Sequence, residues 1–361
     1  MPRRLAEHEL VTAAWEGIEP SQVWDSHVHL VGDGDSGGGI YLNPRMHSVL
    51  EPGLYARRLF FLNAGCVHEA PGSVDRSYVE RMHNLVDGMR AGVKLLLFAF
   101  DRVHDEHGRP DLEQTAFHVP DAYARDVVRA HSSYFEWAAS IHPYRADAVD
   151  ALNKAKAEGA RAVKWLPPAM AIDPASPLCD RFYRALQEGN LPLISHGGLE
   201  RAVLGGDWAQ YGRPSRLRRA LDAGVRVVVA HCASIGDEDF AEFASLMAEK
   251  RYEKNLFADL SAITQLNRAG PALARVLEEE AWHARLLNGS DYPLPGVMPI
   301  YSLDYLVSLG MVAPRAAPVL REIRLHNPLL FDFVLKRHLR SHGKSLPRAV
   351  FHTRRFFESG M

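Results

Sequence analysis

Along most of the chain, short apolar runs alternate with stretches whose apolar residues recur at helical spacing. Apolar runs of this length, bounded by turn residues, predict buried strands, and the alternation predicts successive βαβ units feeding a parallel sheet. Eight strands are expected, over Val23–Val31, Val93–Asp101, Tyr134–His142, Ala162–Leu166, Leu191–His196, Arg226–His231, Leu256–Leu260 and Arg285–Asp291. Helices are expected between them, among them Ser77–Arg90, Asp121–His131, Asp147–Glu158, Asp180–Glu188 and Phe240–Lys250. The phrases KAEGARAVKWLP, LQEGNLPLISH and LDAGVRVVVAH share a helix–Gly–strand build. Gly92, Gly159, Gly189 and Gly224 are therefore expected to end helices in the left-handed conformation.

Eight such strands fit a closed barrel better than an open doubly wound sheet, which usually opens on a Gly-rich phosphate loop; no GxGxxG or Walker sequence follows a strand here. The expected fold is α/β: a distorted (β/α)8 TIM barrel with an insertion after the first strand and a C-terminal helical extension. A single domain over residues 1–361 is expected, its barrel core at about 23–310. The longest link, Gly32 to Ala91, begins GDGDSGGGIYLNP and leaves the carboxyl end of the first strand. It reads equally as a lid over a site or as a surface excursion. Within it, Leu54–Val67 fits a helix or an extra strand. The tail from Arg315 onward reads as helical and packed on the barrel exterior.

Composition narrows the partners. A net charge of −2 over 361 residues gives no basic excess, so nucleic acid is not an expected partner. Arg216, Arg218 and Arg219 read as a solvated helix face. Cys66, Cys179 and Cys232 form no CxxC pair, and their odd number disfavours a disulfide framework. The amino terminus has basic residues but no apolar run behind them, and no stretch approaches the length of a membrane span. A cytoplasmic protein with a small-molecule substrate is expected, a homo-oligomer only on general grounds. The sequon Asn288-Gly289-Ser290 then has no consequence, and it falls in a segment placed inside the barrel mouth.

The strand ends carry the chemistry. In VWDSHVHLV, residues two apart share a face, so His27 and His29 project together into the barrel. Two neutral imidazoles are half a zinc site, although an HxH alone is weak. The fifth strand ends at His196, the sixth at His231 and the eighth at Asp291. Burying that many ionisable groups together is costly unless a cation or dense hydrogen bonding compensates. Lys164, in AVKWLPP, reads as an ion-pair partner, a substrate anchor or a carbamate bridging two metals. Asp101, Arg102, His142 and Arg145 also lie at strand ends and read as loop ion pairs or as substrate contacts. His104, His107 and His338 read as surface residues.

With DSHVH, VKWLP, ISHGG, VVVAHC and NGSDYP in this order, the chain resembles the amidohydrolase superfamily from Trp24 to Pro293, nearest its "amidohydrolase 2" group of lactonases and carboxymuconate-type decarboxylases. The terminal HNPLLFDF fits as well. The resemblance implies a divalent metal, most often Zn2+, bound by His27, His29, His196 and Asp291. Asp291 is then the proton acceptor, and His231 orients the attacking water or polarises the substrate. In a two-metal form, carbamylated Lys164 bridges the ions, and His196 and His231 bind the second. The main expectation is a hydrolase using metal-activated water on a small cyclic ester or amide, such as a lactone. The alternative is a metal-dependent non-oxidative decarboxylase of a small carboxylic acid. A metal-dependent nuclease or phosphatase and a non-enzymatic binding barrel stand further back.

Overall fold

The computed structural model describes residues 1–68, 72–200, 203, 206–297 and 299–358. All eight expected strands form, each shorter than its apolar run. They are β1 (Trp24–His29), β2 (Lys94–Phe98), β3 (Phe135–Ala138), β4 (Val163–Trp165), β5 (Leu193–His196), β6 (Val227–Ala230), β7 (Leu256–Asp259) and β8 (Leu286–Leu287). Parallel ladders join β1 to β2 and β2 to β3, and run without a break from β4 to β8. Two isolated parallel bridges close the ring, Ala139 with Val163 and Val28 with Tyr292. At the second seam, the Asp291 N–H donates to the His27 carbonyl at 2.9 Å, and the His29 N–H to the Tyr292 carbonyl at 2.9 Å. The fold is thus a (β/α)8 barrel, and its closing seam is the one that brings His27 and His29 beside Asp291.

The barrel interior has two tiers. Trp24, Leu96, Ala138, Ala162, Ile194, Val228 and Leu287 pack together as an apolar lower tier. Two residues further along β4, β5 and β7, on the same face, come Lys164, His196 and Asp259. The apolar residues thus form a floor, and the polar ones stand on it at the carboxyl end, where barrel active sites lie. On β1 the period of two would send His27 and His29 outward if Trp24 points in. A register shift between Asp25 and Val28 resets the pattern, so that Val28 pairs with Leu97 and His29 with the inward Phe98. Such a bulge re-aims side chains without ending the strand.

The C-terminal segment departs from expectation. The helices Ala317–His326 and Pro328–His338 form, but the chain end also plugs the amino-terminal mouth of the barrel. In the short helix Arg354–Glu358, Phe357 stacks on Trp24 at 5.9 Å and Phe356 meets Phe257 edge-on at 4.7 Å. The insertion after β1 holds the helix Pro52–Ala64, which settles Leu54–Val67 as helical, and a short strand, Tyr41–Leu42, paired with Phe117–His118. The expected helices form within a few residues: Val74–Asp87, Asp121–Ala130, Ala148–Ala157, Asp180–Gly189 and Asp237–Ala248. Gly92, Gly159 and Gly224 have positive φ as expected, but Gly189 does not. The left-handed cap there is Asn190, at φ 49°, whose short amide side chain tolerates that region. All three cysteines are free thiols. Arg216, Arg218 and Arg219 are half-buried and pair with Asp173, Glu249 and Asp180.

One buried ion pair ties the helix Pro328–His338 to the loop that carries Asp291. Lys336 Nζ donates to the Gly289 carbonyl and pairs with Asp332 at 2.6 Å, both side chains fully enclosed. Burial pushes the Asp332 carboxyl up to about 7 despite the lysine. Lys336→Ala should lower the urea-unfolding free energy by about 3 kcal/mol at pH 8, where the carboxyl left without its partner must either stay charged in the interior or take up a proton against the solution pH. At pH 5 the cost should shrink, because Asp332 is already protonated in the folded state and only the hydrogen bonds are lost. Equal costs at the two pH values would refute this account.

Candidate metal centre and active site

The bulge on β1 and the seam with β8 bring three donor atoms together. His27 Nε2 lies 3.2 Å from His29 Nε2 and 3.4 Å from Asp291 Oδ1, and His29 Nε2 lies 3.2 Å from the same oxygen. Two ligands on a tetrahedral zinc, each about 2.05 Å from the ion, stand about 3.3 Å apart. The three separations therefore match one face of such a site, and the donor set is of the right chemistry.

The surrounding hydrogen bonds fix which nitrogen is free. His27 Nδ1 donates to Asp259 Oδ2 at 2.9 Å, leaving Nε2 as the unprotonated lone pair. Burial, together with the nearby Lys164 ammonium, pulls the His27 imidazole down to about 4, so it stands neutral, in the ligating form. A second grouping, His27, His231 and Asp259, is also compact. Its atoms are already joined through Ser261, whose hydroxyl contacts both Nδ1 atoms at 3.0 and 2.7 Å and donates to Asp259. It needs no ion to be satisfied, and we read it as the frame behind the first group.

His231 follows β6, its N–H donating to Asp259 Oδ1 at 3.0 Å. Its Nδ1 also meets the Ser261 carbonyl at 3.1 Å, an acceptor only, so that nitrogen carries the proton and Nε2 is an acceptor. His231 and Asp291 both have left-handed φ, 60° and 64°, as do Cys232 and Ala233. Non-glycine residues there carry strain, and such residues gather at functional sites. Burial disfavours ionised Asp291, yet His231, His29 and His27 outweigh it and hold its carboxyl well below the usual range.

His196 and Lys164 border the same group. His196 Nε2 is buried without a hydrogen-bond partner, while Nδ1 faces Glu200 at 3.5 Å. It lies outside the tight His27–His29–Asp291 group, its ring 5.2 Å from that of His231. A buried ring nitrogen without a partner at the edge of a donor group is of the kind a ligand would satisfy. Lys164 Nζ sits 3.3 Å from His27 Nε2, and burial brings the amine down to about 8.

The donors open onto a cavity of about 430 Å³. His29, Lys164, His196, His231 and Asp291 line its floor, and Arg268, Gln265 and residues of the insertion complete its lining. Sequence reasoning missed Asp259, Ser261 and Arg268. Asp259 ends LFAD with the same apolar-run-then-acid pattern that marked the other strand ends, so its signal was present. Arg268 lies in an irregular loop where no periodicity points. It is 6% exposed, its Nε has no partner, and among the described residues no carboxylate lies within 4 Å.

Asp101, Arg102, His142 and Arg145 do not join this cavity. Asp101 pairs with Arg145 at 2.9 Å and accepts from the His142 N–H, while His142 Nε2 meets the Met170 carbonyl at 2.9 Å. Arg102 lines a separate depression with Asp101 and Arg145. His104, expected at the surface, is buried against the His142 ring at 4.9 Å, because this polar cluster folds over it. His338 is half-buried, bonded to the Leu10 carbonyl, and His107 is exposed.

If Asp259 holds the His27 ring in its ligating tautomer, Asp259→Ala should weaken zinc affinity by about 10–100-fold. Competition titration against a chromogenic chelator reads this directly. Unchanged affinity would remove Asp259 from the centre.

None of the curated proteins compared with the chain matches it by sequence. Among solved structures it is similar to an uncharacterised TIM-barrel protein from Bordetella bronchiseptica, with 18% identity and TM-score 0.52 over 86% of this chain and 99% of that one. It is also similar to 5-carboxyvanillate decarboxylase from Sphingomonas paucimobilis, with 10% identity and TM-score 0.50 over 93% and 98%. A structure from Pseudomonas putida named as a putative 2-pyrone-4,6-dicarboxylic acid hydrolase aligns over 93% and 98%, with 17% identity and TM-score 0.46. At these identities the likeness is one of fold. The sequence profile of the amidohydrolase family, whose members are enzymes and typically metal-dependent, matches residues 24–327, and the chain belongs to that family.

Proposed function

We propose that this enzyme hydrolyses a small cyclic ester or amide, lactone-like and bearing a carboxylate, by means of one divalent ion. The observation that carries the reading is the near-equal spacing of His27 Nε2, His29 Nε2 and Asp291 Oδ1 at the floor of the cavity. These three would hold the ion, zinc being the first choice for this donor set, and the orphaned Nε2 of His196 is available as a fourth ligand. Such an ion, when bound, supplies a water whose pKa falls toward ~7.

The chain's own groups do the rest. Asp291 Oδ2 faces His231, 4.0 Å from its Nδ1, and takes the proton of the attacking water before handing it to the leaving group. His231 presents Nε2 as an acceptor, so it orients that water by receiving a hydrogen bond. The same tautomer has no proton to offer a substrate carbonyl, which supports the orienting role over the polarising one. Arg268, buried and, among the described residues, without a carboxylate within 4 Å, holds the substrate carboxylate. That same cation supports a second reading, loss of CO2 from a carboxylic acid at the same centre.

Zinc-loaded protein assayed on a panel of lactones, cyclic amides and aromatic acids should release acid without CO2; CO2 as the product would select the second reading. Asp291→Asn should keep much of the metal yet lose turnover by about 10²–10⁴-fold. Turnover surviving in that variant would end the proton role. Elemental analysis with intact-protein mass should give one ion per chain and an unmodified Lys164. Two ions with a carbamate on Lys164 would replace the single-ion centre with the bridged one.

A further inference from the structure

We propose that the insertion after β1 makes the enzyme selective for a monocarboxylic acid carrying a bulky apolar group, which seats against Phe60, Phe61 and Met46. This rests on the reading of Arg268 as the carboxylate clamp. The three apolar side chains line the same cavity as Arg268 and Asp291, and both phenylalanines are half-buried with no ligand in place. Covering such surface with an apolar group is favourable, while a charge placed there loses its water and finds no partner.

The wall is built rather than incidental. Phe61 leans on Phe117, centroids 6.4 Å apart, and Phe117 stacks on Phe100 at 4.2 Å. The loop ahead of the helix Pro52–Ala64 is held by Asp75, a fully buried carboxylate that accepts from the N–H groups of Asp33, Gly34 and Ser36. Arg58, on the helix, pairs with Asp33 and so pins helix to loop. Two other cations reach this side of the cavity. Arg58 is committed to Asp33, and Arg57 is partly exposed, where a guanidinium keeps its water. Neither matches the enclosed charge of Arg268, and Lys164, the other buried cation of the cavity, is held 3.3 Å from His27 Nε2 beside the donor group, so on this side one carboxylate is provided for and the remainder of the ligand is expected to be apolar. A cavity of about 430 Å³ is in the range that encloses a substituted ring rather than a three-carbon acid.

The test is binding of benzoate, 4-butylbenzoate and benzene-1,3-dicarboxylate to the zinc-loaded protein by calorimetry. 4-Butylbenzoate should bind at least about tenfold more tightly than benzoate, and the dicarboxylate more weakly than benzoate. The double variant F60S/F61S should bring the two monoacids within about twofold of each other. Ala56→Trp narrows the same side of the cavity from an exposed helix position and should reduce the butyl preference without touching the wall. Equal binding of the two monoacids to the unaltered protein, or a dicarboxylate that binds best, would overturn the proposal. Arg268→Gln separates the two ideas. It should weaken both monoacids by about tenfold or more and leave their ratio intact; no effect on either would sink the clamp while the ratio still reports on the wall.

Discussion

The geometry of the donor group depends on one buried carboxylate that does not itself line the cavity. Asp259 ends β7, takes the proton-bearing nitrogen of His27, accepts the backbone N–H of His231 and receives the Ser261 hydroxyl. Burial alone would favour its neutral form, but these donors and the flanking imidazoles hold it ionised. Three consequences follow from that single charge. The His27 ring is locked with Nε2 free, the turn at His231 is kept in its left-handed conformation, and Ser261 is fixed between two imidazoles. Without it, the ligand atoms would have no reason to share one orientation.

Much of this was legible because barrels write their active sites at strand ends. His27, His29, His196, His231 and Asp291 each follow an apolar run, and a closed parallel barrel sends all such positions to one rim. Asp259 carried the same mark, but it falls inside the expected strand Leu256–Leu260 rather than at its end. What sequence alone could not give was the bulge on β1. The HxH spacing predicts that His27 and His29 share a face, but not which face, and parity from Trp24 gives the wrong one. The register shift depends on the pairing of β1 with β2, a property of two segments some seventy residues apart.

The distal polar residues show the converse error. Asp101, His142 and Arg145 also follow apolar runs, yet they satisfy one another and the backbone rather than the cavity. A strand-end position makes a residue available to the mouth, while its hydrogen bonds decide whether it is used. By that measure the floor of the cavity stands apart. There His196 Nε2 and Arg268 Nε are among the unsatisfied buried atoms, are of types that seek a ligand, and both lie within electrostatic reach of Asp291. On the proposed reading, one would serve a cation and the other an anion.

That pairing bears on how specificity and chemistry divide within the chain. The barrel strands supply the donors, and their positions follow from the ladder and the floor beneath. Arg268 comes from a loop after β7, and the apolar wall from the insertion after β1, so the two surfaces proposed to face the substrate are borne by segments the ladder does not constrain. Both are nonetheless anchored, Phe61 through the Phe117–Phe100 stack and the preceding loop through Asp75. Substitution in either segment can therefore change what is bound without disturbing the His27–His29–Asp291 geometry. The reverse does not hold, because the seam that closes the barrel also places Asp291. A change that slips β8 against β1 would undo the fold and the centre together.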